Sequence, residues 1–332
     1  MRKMASIRRI DSVRPIPGAD AIECARVGGW DVVVKRDEFQ AGDLAVYCEI
    51  DSWIPHELAP FLSKGSEPRV FEGVPGERLR TVKLRGQVSQ GLLLPLDPTC
   101  ANIVSKLFEG LDVSAPLNIQ KWEAPVPAQL AGDVRGAFPS FVPKTDQERI
   151  QNLTEEFDSW SKLTWEVTEK LDGSSMTVYF NNGDFGVCSR NWNLSETQGN
   201  SMWQQARRYD LQQVFAREGN FAVQGEIIGE GIQGNPYRIR GQDFFVYDVF
   251  DIDQQKYLAP LERREFVERN GLKHVPVINS DIPTPASVNI TLESAEGRSV
   301  LNPATEREGL VFKSNGTVSF KAISNKFLLR QG

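Results

Sequence analysis

The sequence predicts an α+β chain of two domains, a small all-β barrel in front and a mixed domain of antiparallel strands flanked by helices behind. Three observations predict it. Residues 1 to about 120 carry short β-rich runs broken by turn residues. A Pro-rich stretch at 121–143 then separates them from the remainder of the chain. From residue 144 onward, strand-like runs alternate with segments of helical periodicity. A chain of 332 residues can bury two proper cores, and 40% hydrophobic with 25% charged residues excludes a disordered chain.

In the front domain, Trp30–Val34, Leu44–Cys48 and Arg80–Leu84 read as strands, punctuated by Ala41-Gly42-Asp43 and Gly73-Val74-Pro75-Gly76. Their spacing suits a five-stranded barrel of the OB type, whose open face takes single strands or backbone phosphates. Arg78, Arg80, Lys83 and Arg85 alternate closely enough to line one strand surface. They either contact nucleic acid or form a solvated basic edge that discourages aggregation. The acid-free start Met1–Arg9 has a transit-peptide flavour, but Ile7 and Ile10 run straight into the first barrel-like segment, so a structural start is expected.

Trp122 to Pro143, with Pro125, Pro127, Pro139 and Pro143, reads as a linker, which places domains at 1–120 and 144–332. Thr145-x-x-Glu148 forms a capping box, and Ile150, Leu153, Phe157 and Trp160 follow at helical steps. Two further helices are expected near Gln204–Phe215 and Pro260–Asn270. Gly229-Glu230-Gly231-Ile232-Gln233-Gly234 spells a dinucleotide fingerprint, yet Asn235-Pro236-Tyr237 follows it instead of a helix. A loop at the rim of a site is the better reading.

The most informative stretch is Lys170-Leu171-Asp172-Gly173. Alone, an Asp-Gly pair between Trp165–Thr168 and Met176–Phe180 is a hairpin turn. Five runs succeed it in order: Ser189-Arg190-Asn191, Gln224–Gly229, Phe244–Asp248, Glu308–Lys313 and Ser319–Ala322. Each is β-like and carries one or two charged or aromatic residues where an inward side chain would sit. This ordered set resembles the covalent nucleotidyltransferases, the superfamily of polynucleotide ligases and mRNA capping enzymes.

The resemblance implies that Lys170 attacks the α-phosphorus of ATP, expels pyrophosphate and holds AMP through a phosphoramidate bond. A free lysine titrates near ~10.4, so the site must favour the neutral amine. Burial, the neighbouring cations Lys313 or Lys321, and a divalent metal are expected to do so. Asp172, Glu226 and Glu308 would hold Mg²⁺ or Mn²⁺, directly or through water. Tyr247 would stack on the purine, with plain core packing as its alternative. Arg190 would reach ribose and phosphate, or be a surface arginine at a strand end. Glu169, Leu171 and Ser175 flank the nucleophile and would touch adenine and ribose. Lys144 and Arg149 would either reach the triphosphate or be solvated charges at a helix start. Ordinary readings also stand beside Glu226, a strand carboxylate paired with a lysine, and Glu308, a turn cap.

The flanks narrow the match. Eleven residues follow Lys321, so no trailing OB domain is expected, whereas an all-β segment precedes the transferase motifs. That order resembles the OB-first branch of nick-sealing RNA ligases, family five. Phe141–Arg149 is similar to the opening segment of RNA-ligase transferase domains. Where such ligases show two alternating lysines in the last motif, this chain has Ser319 before Lys321, so Lys321, aided by Lys326, would carry the phosphate contact. The implied function is ATP-dependent sealing of a 3′-hydroxyl to a 5′-phosphate, on RNA or an RNA-containing duplex. A capping guanylyltransferase, a DNA ligase and a non-catalytic OB-type binder are the alternatives.

Composition sets limits. A net charge of −6 argues for local basic grooves on an acidic body. Cys24, Cys48, Cys100 and Cys188 are far apart, so neither zinc nor a disulfide framework is expected. With only His56 and His274, neither a histidine metal centre nor a Ser-His-Asp triad is expected. No segment reaches membrane-spanning length and no signal-peptide core begins the chain, so a cytoplasmic monomer is expected.

Overall fold

The computed structural model describes residues 2–100, 106–124, 126, 128–315 and 318–331. The chain forms two compact units. The first comprises Met1–Ala124 with Gln151–Thr154 and Leu328–Gly332, and the second Pro125–Ile150 with Glu155–Phe327. Among the described residues, no helix is long and apolar enough to cross a membrane.

In the first unit, alternation of buried and exposed positions along Trp30–Lys35 turns Trp30, Val32 and Val34 onto the core. The strands form open sheets of three, four, three and two members, with no single continuous five-stranded barrel among the described residues. Leu44–Cys48 lies centrally, between Ala5–Arg9 and Leu92–Pro95, both antiparallel to it. The four basic residues do not share a strand. Arg78 ends Val74–Arg78, Arg80 lies beyond it, Lys83 is on Val82–Leu84, and Arg85 sits at φ 47 in the following turn. The turn after Leu84 breaks the alternation that their spacing suggests.

The second unit contains two sheets. The larger runs in the order 134–137, 192–194, 184–188, 174–181, 221–229, 242–251, 256–257, and 273–274 pairs alongside 242–251. Helices Ser201–Arg208, Leu211–Glu218 and Pro260–Arg269 supply apolar side chains to its core, where Val178, Val223, Phe244, Trp203, Phe215 and Phe266 meet. The smaller sheet runs 148–149, 319–323, 309–313, 164–170, 277–283.

Several expectations are corrected. Val134–Ala137, inside the expected linker, pairs with Trp192–Leu194 and so belongs to the larger sheet; Pro125 and Pro127 lie outside the described residues. The capping box goes unused, because the Thr145 hydroxyl bonds the Tyr247 hydroxyl at 2.8 Å and Glu148-Arg149 pairs in parallel with Phe320-Lys321. Three short helical segments, 3-10 at 150–152, α at 154–157 and 3-10 at 158–160, replace the single continuous helix expected. Its apolar face still packs the smaller sheet, with Trp160 stacked on Phe320 at 5.5 Å. The expected helix over 204–215 is two helices, separated by Asp210 at φ 47.

A buried ionic cluster braces the two sheets. Arg263, 1% exposed, pairs with Glu166, lies 3.7 Å from Asp248 and donates Nε–H to His274 Nε2 at 3.0 Å. Burial and the Arg263 charge push the His274 pKa down to about 3, which keeps its Nε2 an acceptor. Arg263→Ala would leave Glu166 and Asp248 short of a cation in the core, at a cost of about 3–5 kcal/mol. Urea unfolding at unchanged m should show it. A loss under ~1 kcal/mol would mean that Arg264 and Lys313 suffice to hold both carboxylates.

Candidate active site

Lys170 ends the strand Thr164–Lys170 of the smaller sheet, opposite Gly309, while Ser174 begins the next strand in the larger sheet, opposite Ile227. Asp172-Gly173 is therefore not a hairpin turn but a crossing between sheets. Neither residue takes the positive φ that a tight hairpin would need. The Asp172 N–H donates to the Tyr237 hydroxyl at 2.6 Å, which fixes the crossing. Gly173 is required by close approach: a Cβ there would lie 2.5 Å from the Ile227 carbonyl oxygen and 2.9 Å from Glu226 Cγ.

This crossing brings four predicted residues together. Lys170 Nζ lies 2.8 Å from both Glu308 carboxylate oxygens, and also feels Glu226 and Asp172. Burial pushes the Lys170 amine towards neutrality, but Glu308, Glu226 and Asp172 together outweigh it and hold its pKa above the ordinary lysine value. The protein groups alone favour the charged amine, and the expected divalent metal would have to supply the balance. Burial, with Glu308 and Asp172 nearby, pushes the Glu226 pKa up to about 8, against the opposing pull of Lys170. Among the described residues, no three Asp, Glu, His or Cys side chains converge closely enough to ligate a metal directly. The carboxylates around one amine nevertheless fit a hydrated divalent cation, because burial first, and the negative charge of Glu308 and Asp172 second, drive Glu226 towards its neutral form.

A second cluster adjoins the first. Asp146 lies 3.0 Å from Lys321 Nζ and 3.3 Å from Arg190 Nη2, and Arg190 also acts electrostatically on Glu226. Arg149 is the register partner of Lys321. Lys326 is turned elsewhere, 3.6 Å from Glu296. Tyr247 is half-buried, its hydroxyl 3.0 Å from that of Ser175.

Three predicted residues sit differently from expectation. Lys313 is not beside Lys170 but pairs with Asp248 at 2.7 Å and donates to the Tyr247 carbonyl at 2.6 Å. Burial, opposed by Asp248, brings its pKa down to about 8. Glu169, 1% exposed, accepts from the Val300 N–H at 2.8 Å, and Leu171 packs against Ile228, Tyr237 and Phe245. A cavity of about 260 Å³ is lined by Lys144, Asp146, Asp248, Arg263 and Lys313. Its walls do not include Lys170, but they share Asp146 with the Lys321–Arg190 cluster. Sequence reasoning missed Asp146 and Tyr237. The first stood within the quoted Phe141–Arg149 segment, and the second directly follows the glycine-rich loop read as a rim.

In comparison with known proteins, a family model described as RNA ligase matches residues 163–323. A model of an OB-fold domain matches residues 4–96. No curated protein matches the sequence. Solved structures of a Naegleria gruberi RNA ligase match along the chain. A mutant of it with AMP and Mn superposes with a TM-score of 0.93, at 46% identity and 99% coverage of each chain. A mutant with ATP and Mn gives the same values, and a form with pyrophosphate gives a TM-score of 0.92 at 46% identity and 99% coverage of each chain.

Proposed function

The chain belongs to the RNA ligase family and is an ATP-dependent RNA ligase, and we propose that it seals a 3′-hydroxyl to a 5′-phosphate through Lys170. The observation that carries this reading is the Lys170 amine paired with Glu308 at 2.8 Å, with Glu226 and Asp172 close enough to act on it, where the two sheets meet.

In the first step the neutral Nζ attacks the α-phosphorus of ATP. A P–N bond forms, the P–O bond to pyrophosphate breaks, and pyrophosphate leaves with the electron pair. Glu308, 2.8 Å away, is the nearest acceptor for the amine's proton. Arg190, Lys321 and Arg149 stabilise charge on the phosphates, and Asp146 keeps the first two aligned until phosphate displaces it. Tyr247 offers its ring to adenine, braced from behind by Lys313. Asp172, Glu226 and Glu308 would hold a hydrated Mg²⁺ or Mn²⁺, which supplies positive charge beside the amine and the leaving group. A 5′-phosphate oxygen then attacks the AMP phosphorus, breaking the P–N bond and releasing Lys170. Finally the 3′-hydroxyl attacks the 5′-phosphorus and AMP leaves. Incubation with α-labelled ATP and Mn²⁺, followed by a nicked RNA duplex, tests the scheme: the label should pass from protein to the 5′-phosphate to free AMP.

The front unit is assigned to RNA. Lys83 and Arg85, on the exposed hairpin 82–89, are free to meet phosphates, while Arg78 is engaged by Asp51 at 2.5 Å and by the Trp122 ring at 3.8 Å. Arg80 donates to the Gln331 carbonyl at 2.8 Å. Replacing Lys83 and Arg85 by Ala should weaken RNA binding and flatten its salt dependence by about one log–log unit per lost phosphate contact. An unchanged slope would leave this hairpin as a solvated edge. A reducing, cytoplasmic setting suits the four cysteines, all buried and unbridged, and a monomer is the simplest state that holds the complete site.

A further inference from the structure

We propose that Arg238 and Arg240, on the glycine-rich loop 230–241, hold backbone phosphates of the RNA strand being sealed, beside the crossing from Lys170 to Ser174. The inference rests on the ligase reading and deepens it, because it names a substrate contact in the second unit.

The loop leaves the strand Phe221–Gly229 and returns into Gln242–Asp251. Its ends are pinned together by the Glu230 N–H, which donates to the Gly241 carbonyl at 2.7 Å. It is thus a closed Ω-loop, a form that frequently carries function. Its inner side walls the crossing between the sheets. The Tyr237 hydroxyl accepts the Asp172 N–H at 2.6 Å, and Gln233 Nε2 lies 3.4 Å from the Gly173 carbonyl oxygen. Ile239 packs against the cluster that contains Leu171 and Phe245.

Arg238 and Arg240 flank that inward Ile239, and both are exposed. In a unit where Arg135, Arg190, Arg207, Arg263 and Arg269 are each ion-paired, neither has a carboxylate or carbonyl partner among the described residues. Glu230, the acid on the loop, forms no ion pair with them. Arg238 also sits at φ 55, in the left-handed region that glycine and asparagine occupy more easily. Asn235 fixes it there, accepting from the Ile239 N–H at 3.0 Å and donating to the Ile239 carbonyl at 2.9 Å. An arginine gains nothing from that backbone, so what it contributes there is its side chain.

An uncommitted guanidinium is suited to phosphate. A chain of net charge −6 repels a polyanion except where cations are left free, and sealing must hold a strand end against Lys170. The phosphates of ATP have their own cations in Arg190 and Lys321, gathered by Asp146. The loop's arginines, one residue beyond the tyrosine that holds Asp172, are left for the strand.

The test compares wild type, Arg238→Asn/Arg240→Gln and Arg238→Lys/Arg240→Lys, each as the full chain. Binding to a nicked RNA duplex is titrated against salt, without ATP or metal, and urea unfolding checks each fold. The Asn/Gln pair should bind about tenfold more weakly or worse at ~0.1 M salt, with its log–log salt slope lowered by about one unit per arginine. The Lys pair should keep the wild-type slope, because that slope reads charge. Asparagine suits φ 55, so the neutral pair should unfold at no lower urea than wild type. A wild-type salt slope in the neutral pair overturns the proposal. So does a loss that the Lys pair shares, which would give the arginines a structural role. Failure of wild type to take label from ATP would sink the ligase reading instead, and the salt comparison, which uses neither ATP nor metal, would still decide the arginines.

Discussion

Lys170→Ala should take up no label from α-labelled ATP, and its sealing of a 5′-phosphorylated nick should fall by more than about a thousandfold. No other amine stands ready. Lys313 is held by Asp248 and the Tyr247 carbonyl, and Lys321 by Asp146. Lys170→Arg should fail equally, because a guanidinium stays charged and cannot act as the nucleophile. The same variants given an already adenylylated 5′-end should keep part of their sealing, since that step uses Lys170 only as a nearby charge. This split between ATP-dependent and pre-adenylylated sealing separates a lost nucleophile from a misfolded site. A protein band that still labels in Lys170→Ala would reject the assignment. Equal labelling of wild type by GTP would favour the capping alternative.

That Lys170, Asp172, Glu226 and Glu308 come together was legible because the proposed chemistry restricts residue types. An amine with three carboxylates in a fixed order leaves a pattern that a local reading can find. Their arrangement was not legible. Asp172-Gly173 has the composition of a hairpin turn, and only the partners of the adjoining strands, Gly309 and Ile227, show that it crosses between sheets. The capping box at Thr145 failed for a related reason. Its local hydrogen bonds compete with a parallel strand pairing to Phe320-Lys321, roughly 170 residues away in the chain. The Pro-rich stretch hid the strand Val134–Ala137, since an exposed edge strand has no apolar alternation to reveal it. Lys313 was placed beside the nucleophile because its motif carries it there in one dimension. Its contacts with Asp248 and the Tyr247 carbonyl place it instead behind Tyr247. Trp160 and Phe157 were correctly assigned to packing although their helix was not, because burial depends on hydrophobicity more than on the backbone that delivers it.

The second large effect belongs to the carboxylates. Glu308→Gln and Asp172→Asn keep the shape of the site and remove charge, Glu226→Gln removes the carboxylate that metal binding would expose, and each should cut adenylylation by roughly a hundredfold or more. The reason lies in how Lys170 is held. Burial alone pushes its amine towards neutrality, and the three carboxylates prevent this. Held by Asp172, Glu226 and Glu308, a divalent cation would offset their charge and leave burial to lower the Lys170 pKa. The pH dependence has a definite sign. Burial raises Glu226 to about 8, so at neutral pH its carboxyl carries a proton that an incoming cation must displace. Apparent Mn²⁺ affinity should therefore climb by about tenfold per pH unit below that value and level off above it. In Glu226→Gln that slope should flatten, because no proton remains to be displaced there. Metal titrations of the wild type and Glu226→Gln at pH values on both sides of the Glu226 pKa would read this directly. A pH-independent affinity in the wild type would show that Glu226 is not titrated by the metal. A bound metal would then reach Lys170 only through Glu308 and Asp172.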